Sequence, residues 1–262
     1  MAPRKPDDKT PGKDRPHYHG HRERLRARLL AAGPEALPDY ELLEFLLFAA
    51  NPRGDTKPLA KELLKRFGGL AAVLGASRES LSKVPGMGDA SAAQLLAVRA
   101  AGLRLLRAEV AEKPVIGSWQ KLLDYCTAAA GFAETEEFRL LFLDRKNALI
   151  ADERQQRGTV DHVPVYPREV VKRALDLGAS AIMVHNHPSS DPTPSPGDIA
   201  MTREVAKAAA AVGVAVHDHV IIGRGKHASF KSLGLLYVCH VALTCEAGPR
   251  STGRLAAVVR SQ

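Results

Sequence analysis

The segment that most constrains this chain is Ala181-Ile182-Met183-Val184-His185-Asn186-His187-Pro188 and the loop after it. Four apolar residues in a row read as a buried strand. Pro192, Pro194 and Pro196 then forbid its continuation, because proline cannot donate to a sheet ladder. Ser195 has the character of a helix N-cap, with Pro196 at the first helical position and Asp198 at the third. The segment is therefore a strand, a stiff returning loop and a helix. On a strand, residues two apart point to the same side, so His185 and His187 project together at its C-terminal end. The loop brings the Asp198 carboxylate back towards them.

Two imidazoles and a carboxylate around one open position are the donor set of a catalytic zinc site. Zinc there lowers the pKa of bound water to about 7, and a carboxylate from elsewhere is then needed as general base. The plainer reading stands beside it. A histidine at a strand end is often structural, and Asp198 can serve only as an acid in the first turn of its helix. The two readings are compatible.

Around this segment the chain changes character once. From His21 to about Glu112 the pattern is helical, with helices over Asp39 to Phe48, Lys57 to Phe67 and Ala90 to Val110. Lys113-Pro114 reads as a linker. Beyond it, strands over 138–143, 148–154, 159–165, 181–187, 214–222 and 235–244 alternate with helices over 118–130, 168–177 and 195–212. The alternation predicts an α/β or mixed-sheet layered domain. The expected organisation is a disordered basic tail over 1–17, a helical domain over 18–112, a metal-binding domain over 113–246 and a second basic tail over 247–262.

Of the 262 residues, 45% are hydrophobic, an ordinary globular mixture. No apolar run reaches the ~18 to 20 residues of a membrane helix, and the N-terminus has no signal-peptide core. Three cysteines without a CxxC pair argue for a reducing, cytoplasmic setting. The net charge of +8 lies in the tails: residues 1–28 carry nine Lys or Arg against four acids, and residues 247–262 carry three Arg and no acid. Such tails bind phosphate backbones without sequence preference or simply aid solubility.

The loop closely resembles the JAMM motif of JAB/MPN-domain proteins, HxHP, six residues, then SxxD. His185, His187, Pro188, Ser195 and Asp198 fall at that spacing. Leu141 to Asp144, Pro167 to Leu175, and Asp218-His219 narrow the resemblance to the RadC branch, over about residues 18–238. The resemblance implies a JAB/MPN-like, deaminase-like layered fold and a zinc-dependent metallopeptidase or isopeptidase-like hydrolase. It makes His185, His187 and Asp198 the zinc ligands and Ser195 the group that holds the substrate oxyanion. It also makes a glutamate at the start of an early strand the general base. Glu134, Glu136 and Glu137 precede that strand; the resemblance favours Glu136, with Glu137 the close competitor.

Leu81 to Leu95, with Gly86 and Gly88, resembles a helix-hairpin-helix motif, whose second helix can offer backbone N–H groups to a phosphate. Between Pro85 and Val98 there is no Lys or Arg, and Asp89 sits in the turn. The hairpin reads equally as a weak, non-specific DNA contact and as a structural or protein-binding element. The alternative function is accordingly that of a DNA-repair accessory protein or a metal-dependent nuclease. His217 and His219 share a strand face and either orient a ligand from behind or are ordinary core histidines. His17, His19 and His21 read as tail. Arg168 either holds a substrate carbonyl or forms a structural ion pair. The macromolecular partner expected of the enzyme is a peptide or protein substrate.

Overall fold

The computed structural model of the chain describes residues 20–111, 114–157 and 165–236. Helices α1 (His21–Ala32), α2 (Asp39–Phe48), α3 (Lys57–Phe67), α4 (Leu70–Gly75), α5 (Arg78–Ser82) and α6 (Asp89–Ala111) fill the first stretch. The end of α3 follows from its sequence: Gly68 adopts φ 88°, which only glycine takes without cost, and its N–H closes on Leu64 O. Leu43, Leu47, Leu63, Val73, Leu81, Val84, Ala92 and Leu95 form one buried core among these helices. Gly86 turns the chain between α5 and α6 at φ 85°. In that hairpin Asp89 pairs with Arg78 at 3.0 Å. Arg99 points away from the turn and donates to Gly75 O and Ala129 O. His21, read from sequence as tail, is instead the first residue of α1 and lies 3.1 Å from the buried Glu44 carboxylate. The basic segment that suggested a tail is anchored by Leu25, which is buried on α1.

The rest of the chain supplies α7 (Trp119–Ala130), β1 (Glu137–Leu143), β2 (Leu149–Arg157), α8 (Pro167–Leu177), β3 (Ser180–Asn186), α9 (Pro196–Ala211), β4 (Val216–Gly223) and β5 (Lys226–Ser229). The strands form a mixed five-stranded sheet in the order β2-β1-β3-β4-β5. Strands β3 and β4 pair in parallel across the α9 crossover, and β1–β2, β1–β3 and β4–β5 pair antiparallel. Both faces are covered. Phe138, Leu140, Phe142, Ala181, Met183 and Ile221 pack under α8 and α9. Leu141, Leu143, Ile182, Val184, Val220 and Ile222 pack under α7. This two-sided burial explains why Leu140 to Leu143 in β1 and Ala181 to Val184 in β3 read as unbroken apolar runs.

Residues 144–147 form the expected turn: Asp144 Oδ1 accepts from Lys146 N and Ala148 N, and Asn147 takes φ 59°. Strand β5 was not foreseen. Lys226–Ser229 carries little apolar character and returns from β4 after only Arg224 and Gly225, so neither alternation nor length signals it. The strand expected over 235–244 starts differently: Leu235 and Leu236 lie outside any strand, with Leu236 buried against the α8–α9 side of the sheet. Its remainder, most of the strand expected over 159–165, the 1–17 and 247–262 tails, His17, His19, Cys239 and Cys245 fall outside the described residues. Among the described residues, no helix is long and apolar enough to cross a membrane.

Candidate metal centre

The loop from β3 to α9 is held from several sides. His187 N–H donates to Ile222 O at the end of β4, and Ser190 takes φ 67°. Gly223 lies under the loop so closely that a Cβ there would sit 2.5 Å from Ser190 O. Asp191 Oδ1 accepts from both Thr193 N and Thr193 Oγ1, closing a tight turn before the last prolines. The helix then begins with a reciprocal cap. Asp198 N–H donates to Ser195 Oγ at 3.1 Å, while Ser195 N–H and Oγ–H both donate to Asp198 Oδ2 at 2.7 Å. Asp198 is thus oriented by its own helix start, with Oδ1 turned towards His185.

The opposite wall comes from the segment before β1. Phe138 pairs with His185 across the sheet, and Glu136, two residues earlier, falls on the same face. Asn186, buried between the two histidines, bridges the backbone on either side of Glu136. Its Oδ1 accepts from Glu137 N at 2.8 Å and its Nδ2 donates to Thr135 O at 3.2 Å. Glu137 faces the other way, towards Arg154 at 3.2 Å and Arg139 at 3.9 Å. Glu134 accepts from Ser77 and Ser80.

Glu136, His185, His187 and Asp198 each offer one ligand atom, and the four atoms lie within 4.8 Å of one another. The two Nε2 atoms are 2.9 Å apart. Asp198 Oδ1 is 3.4 Å from His185 Nε2, Asp198 Oδ2 is 3.5 Å from His187 Nε2, and Glu136 Oε1 is 3.9 Å from His185 Nε2. Such a group of two imidazoles and two carboxylates is suited to a divalent cation.

Behind it, His185 Nδ1 meets His219 Nε2 at 2.8 Å, and His219 Nδ1 meets Thr202 Oγ1 at 2.6 Å. His187 Nδ1 donates to Asp191 O at 2.7 Å. The environments separate the two cluster histidines. Burial pushes the His185 imidazolium down to about 4, so the ring is neutral near pH 7. His187, half-buried, is held above the ordinary imidazole range by its hydrogen bond to Asp198. Burial alone would raise the Asp198 carboxyl. Its hydrogen bond with His187, the His185 charge and the Ser195 donors outweigh that and hold it far below the usual carboxylate range.

The other sequence candidates lie elsewhere. His217 binds Ser180 Oγ at 2.9 Å, at the start of β3 rather than its end. Arg168 is exposed and pairs with Glu169 at 3.2 Å. Asn186 and Thr202 carried no sequence signal, because their partners lie far away in the chain or in backbone atoms.

A family model described as a RadC-like JAB domain matches residues 116–235, and one described as UPF0758 N-terminal matches residues 19–93. A UPF0758 protein of Rhodobacter capsulatus is 60% identical over 213 residues, covering 81% of this chain and 100% of that relative. The helical region, the mixed sheet and this similarity agree, and the chain belongs to the RadC family of UPF0758 proteins.

Proposed function

We propose that the chain is a zinc-dependent hydrolase of the JAMM type, acting on a peptide or isopeptide bond. The observation that carries this reading is the convergence of Glu136, His185, His187 and Asp198 on one point. The donor chemistry fits the ion. His187 Nδ1 is engaged by a backbone carbonyl, which leaves Nε2 for coordination, and Asp198 stays ionised over the whole working range. His185, His187 and Asp198 would hold the zinc, leaving Glu136 as the fourth group. Zinc bound there would polarise the substrate carbonyl and acidify water to a pKa of about 7.

Glu136 would serve as the general base, taking a proton from an attacking water at its carboxylate and handing it to the leaving nitrogen. The clamp from Asn186 fixes where that carboxylate starts. Ser195, exposed at the mouth of the site, donates its hydroxyl proton to Asp198 Oδ2. To stabilise a substrate oxyanion it would redirect that proton, which a hydroxyl can do by rotation about its Cβ–Oγ bond.

Purified protein is expected to hold close to one zinc, and Asp198→Ala to lose it. Glu136→Gln is expected to keep the metal and to lose cleavage by at least ~100-fold. Metal content is read by elemental analysis, and cleavage on a panel of peptide, isopeptide and nucleic-acid substrates. Undiminished zinc in Asp198→Ala would remove the ligand assignment. Zinc-dependent cleavage of nucleic acid alone would replace the peptidase reading with the nuclease one.

A further inference from the structure

We propose that Thr202 and His219 are positioning residues that fix His185 in the tautomer whose bare Nε2 faces the metal. This rests on the zinc reading above and deepens it, naming residues outside the motif that prepare one of its ligands.

The argument is a count of protons along a buried chain. Thr202 Oγ1 lies 2.6 Å from Asp198 O. Two oxygens that close need a proton between them, and a carbonyl has none to give. The hydroxyl proton of Thr202 therefore points to Asp198 O. Thr202 Oγ1 is also 2.6 Å from His219 Nδ1, and with its own proton engaged it can only accept there. His219 thus carries its proton on Nδ1. Completely buried and stacked on Phe230, its ring is neutral, so its Nε2 is bare. That atom lies 2.8 Å from His185 Nδ1, which must donate to it. His185 then has its proton on Nδ1 and its lone pair on Nε2, the atom that faces Asp198, Glu136 and His187.

The order of protons is set by the backbone carbonyl of Asp198, itself a cluster residue at the start of α9. One helix turn therefore supplies a carboxylate to the site through its side chain and tunes the imidazole beside it through its carbonyl. Hydrogen bonds of this kind, on the far side of a ligating histidine, typically change metal affinity by ~10–100-fold.

The test uses the full chain and the isosteric Thr202→Val, which deletes the hydroxyl and keeps the shape. Two readouts are taken. Long-range ¹H–¹⁵N spectra of the metal-free protein report which nitrogen of His185 carries the proton. Zinc affinity is measured by competition with a chelator of known strength. Wild type is expected to show His185 protonated at Nδ1. Thr202→Val is expected to populate the Nε2-protonated form and to weaken zinc binding ~10-fold or more, with Thr202→Ser restoring both. His219→Phe, which keeps the stacking on Phe230, should weaken zinc as much, and His219→Gln, which restores an acceptor, should recover part of the loss. If wild type shows the Nε2-protonated form, or Thr202→Val binds zinc as wild type does, the proposal is overturned. A wild type that shows the expected tautomer but binds no zinc would sink the hydrolase reading and leave the proton order standing.

Discussion

At the scale of residues, the two cluster histidines are prepared differently. Burial keeps the His185 ring neutral down to about pH 4, whereas the neighbouring Asp198 carboxylate makes His187 hold a proton above the ordinary imidazole range. A metal ion must displace that proton, since only the neutral ring ligates. Metal affinity should therefore rise with pH through the raised His187 value, with about one proton released per ion, and should fall on acidification well before His185 begins to charge. Zinc affinities measured between pH 5 and 8 in buffered metal check this; a flat profile would contradict it. His219 illustrates how one residue can satisfy both readings of a buried histidine. It is a packed core ring, stacked on Phe230, and it also stands directly behind His185.

At the scale of elements, the site depends on how β1 and β3 align. Strand alternation puts Glu136 on the side of His185 and sends Glu137 to Arg154 and Arg139. Asn186 reinforces that phase by bonding to the peptides on both sides of Glu136. Asn186→Ala removes one buried and one partly buried hydrogen bond, so it should destabilise the protein by about 1–3 kcal/mol. It should also let Glu136 wander. Zinc content is expected to stay, because none of the histidines or Asp198 depends on Asn186, while turnover falls. Parallel measurement of bound zinc and of the rate constant kcat separates these effects, and an unchanged kcat would show that the clamp is only structural. Of these elements, the strand, the proline loop and the capped helix were legible in the sequence because each depends on neighbours within a few residues. The choice between Glu136 and Glu137 was not, since it depends on a register set 49 residues away.

At the scale of the whole molecule, the helical region braces the segment that carries Glu136. A Cβ at Gly75 would lie 2.4 Å from Phe132 Cβ, and Ser77 and Ser80 donate to Glu134. Arg99 of α6 joins the ends of α4 and α7 by donating to Gly75 O and Ala129 O. Replacing it by methionine keeps the stem but leaves two carbonyls without these charged donors. Arg99→Met should lower stability by about 2 kcal/mol, read as a shift in the midpoint of denaturant unfolding. Unfolding of the helical region as a separate step, with Arg99→Met silent, would show that the two parts are not coupled in this way. In the hairpin Asp89 pairs with Arg78, and Arg99 donates to carbonyls.

The sequence by itself determined the longer helices, the places of strands β1 to β4, the shared direction of His185 and His187, and the capped return of Asp198. These follow from backbone periodicity, proline geometry and helix-end hydrogen bonding, all of which act over a few residues. Only the tertiary structure decided that Glu136 faces the cluster, that Asn186 holds it there, and that Thr202 and His219 stand behind His185. Those relations join residues 17 to 51 positions apart through sheet pairing and helix packing, and pairing of distant segments leaves no periodic mark on the segments themselves.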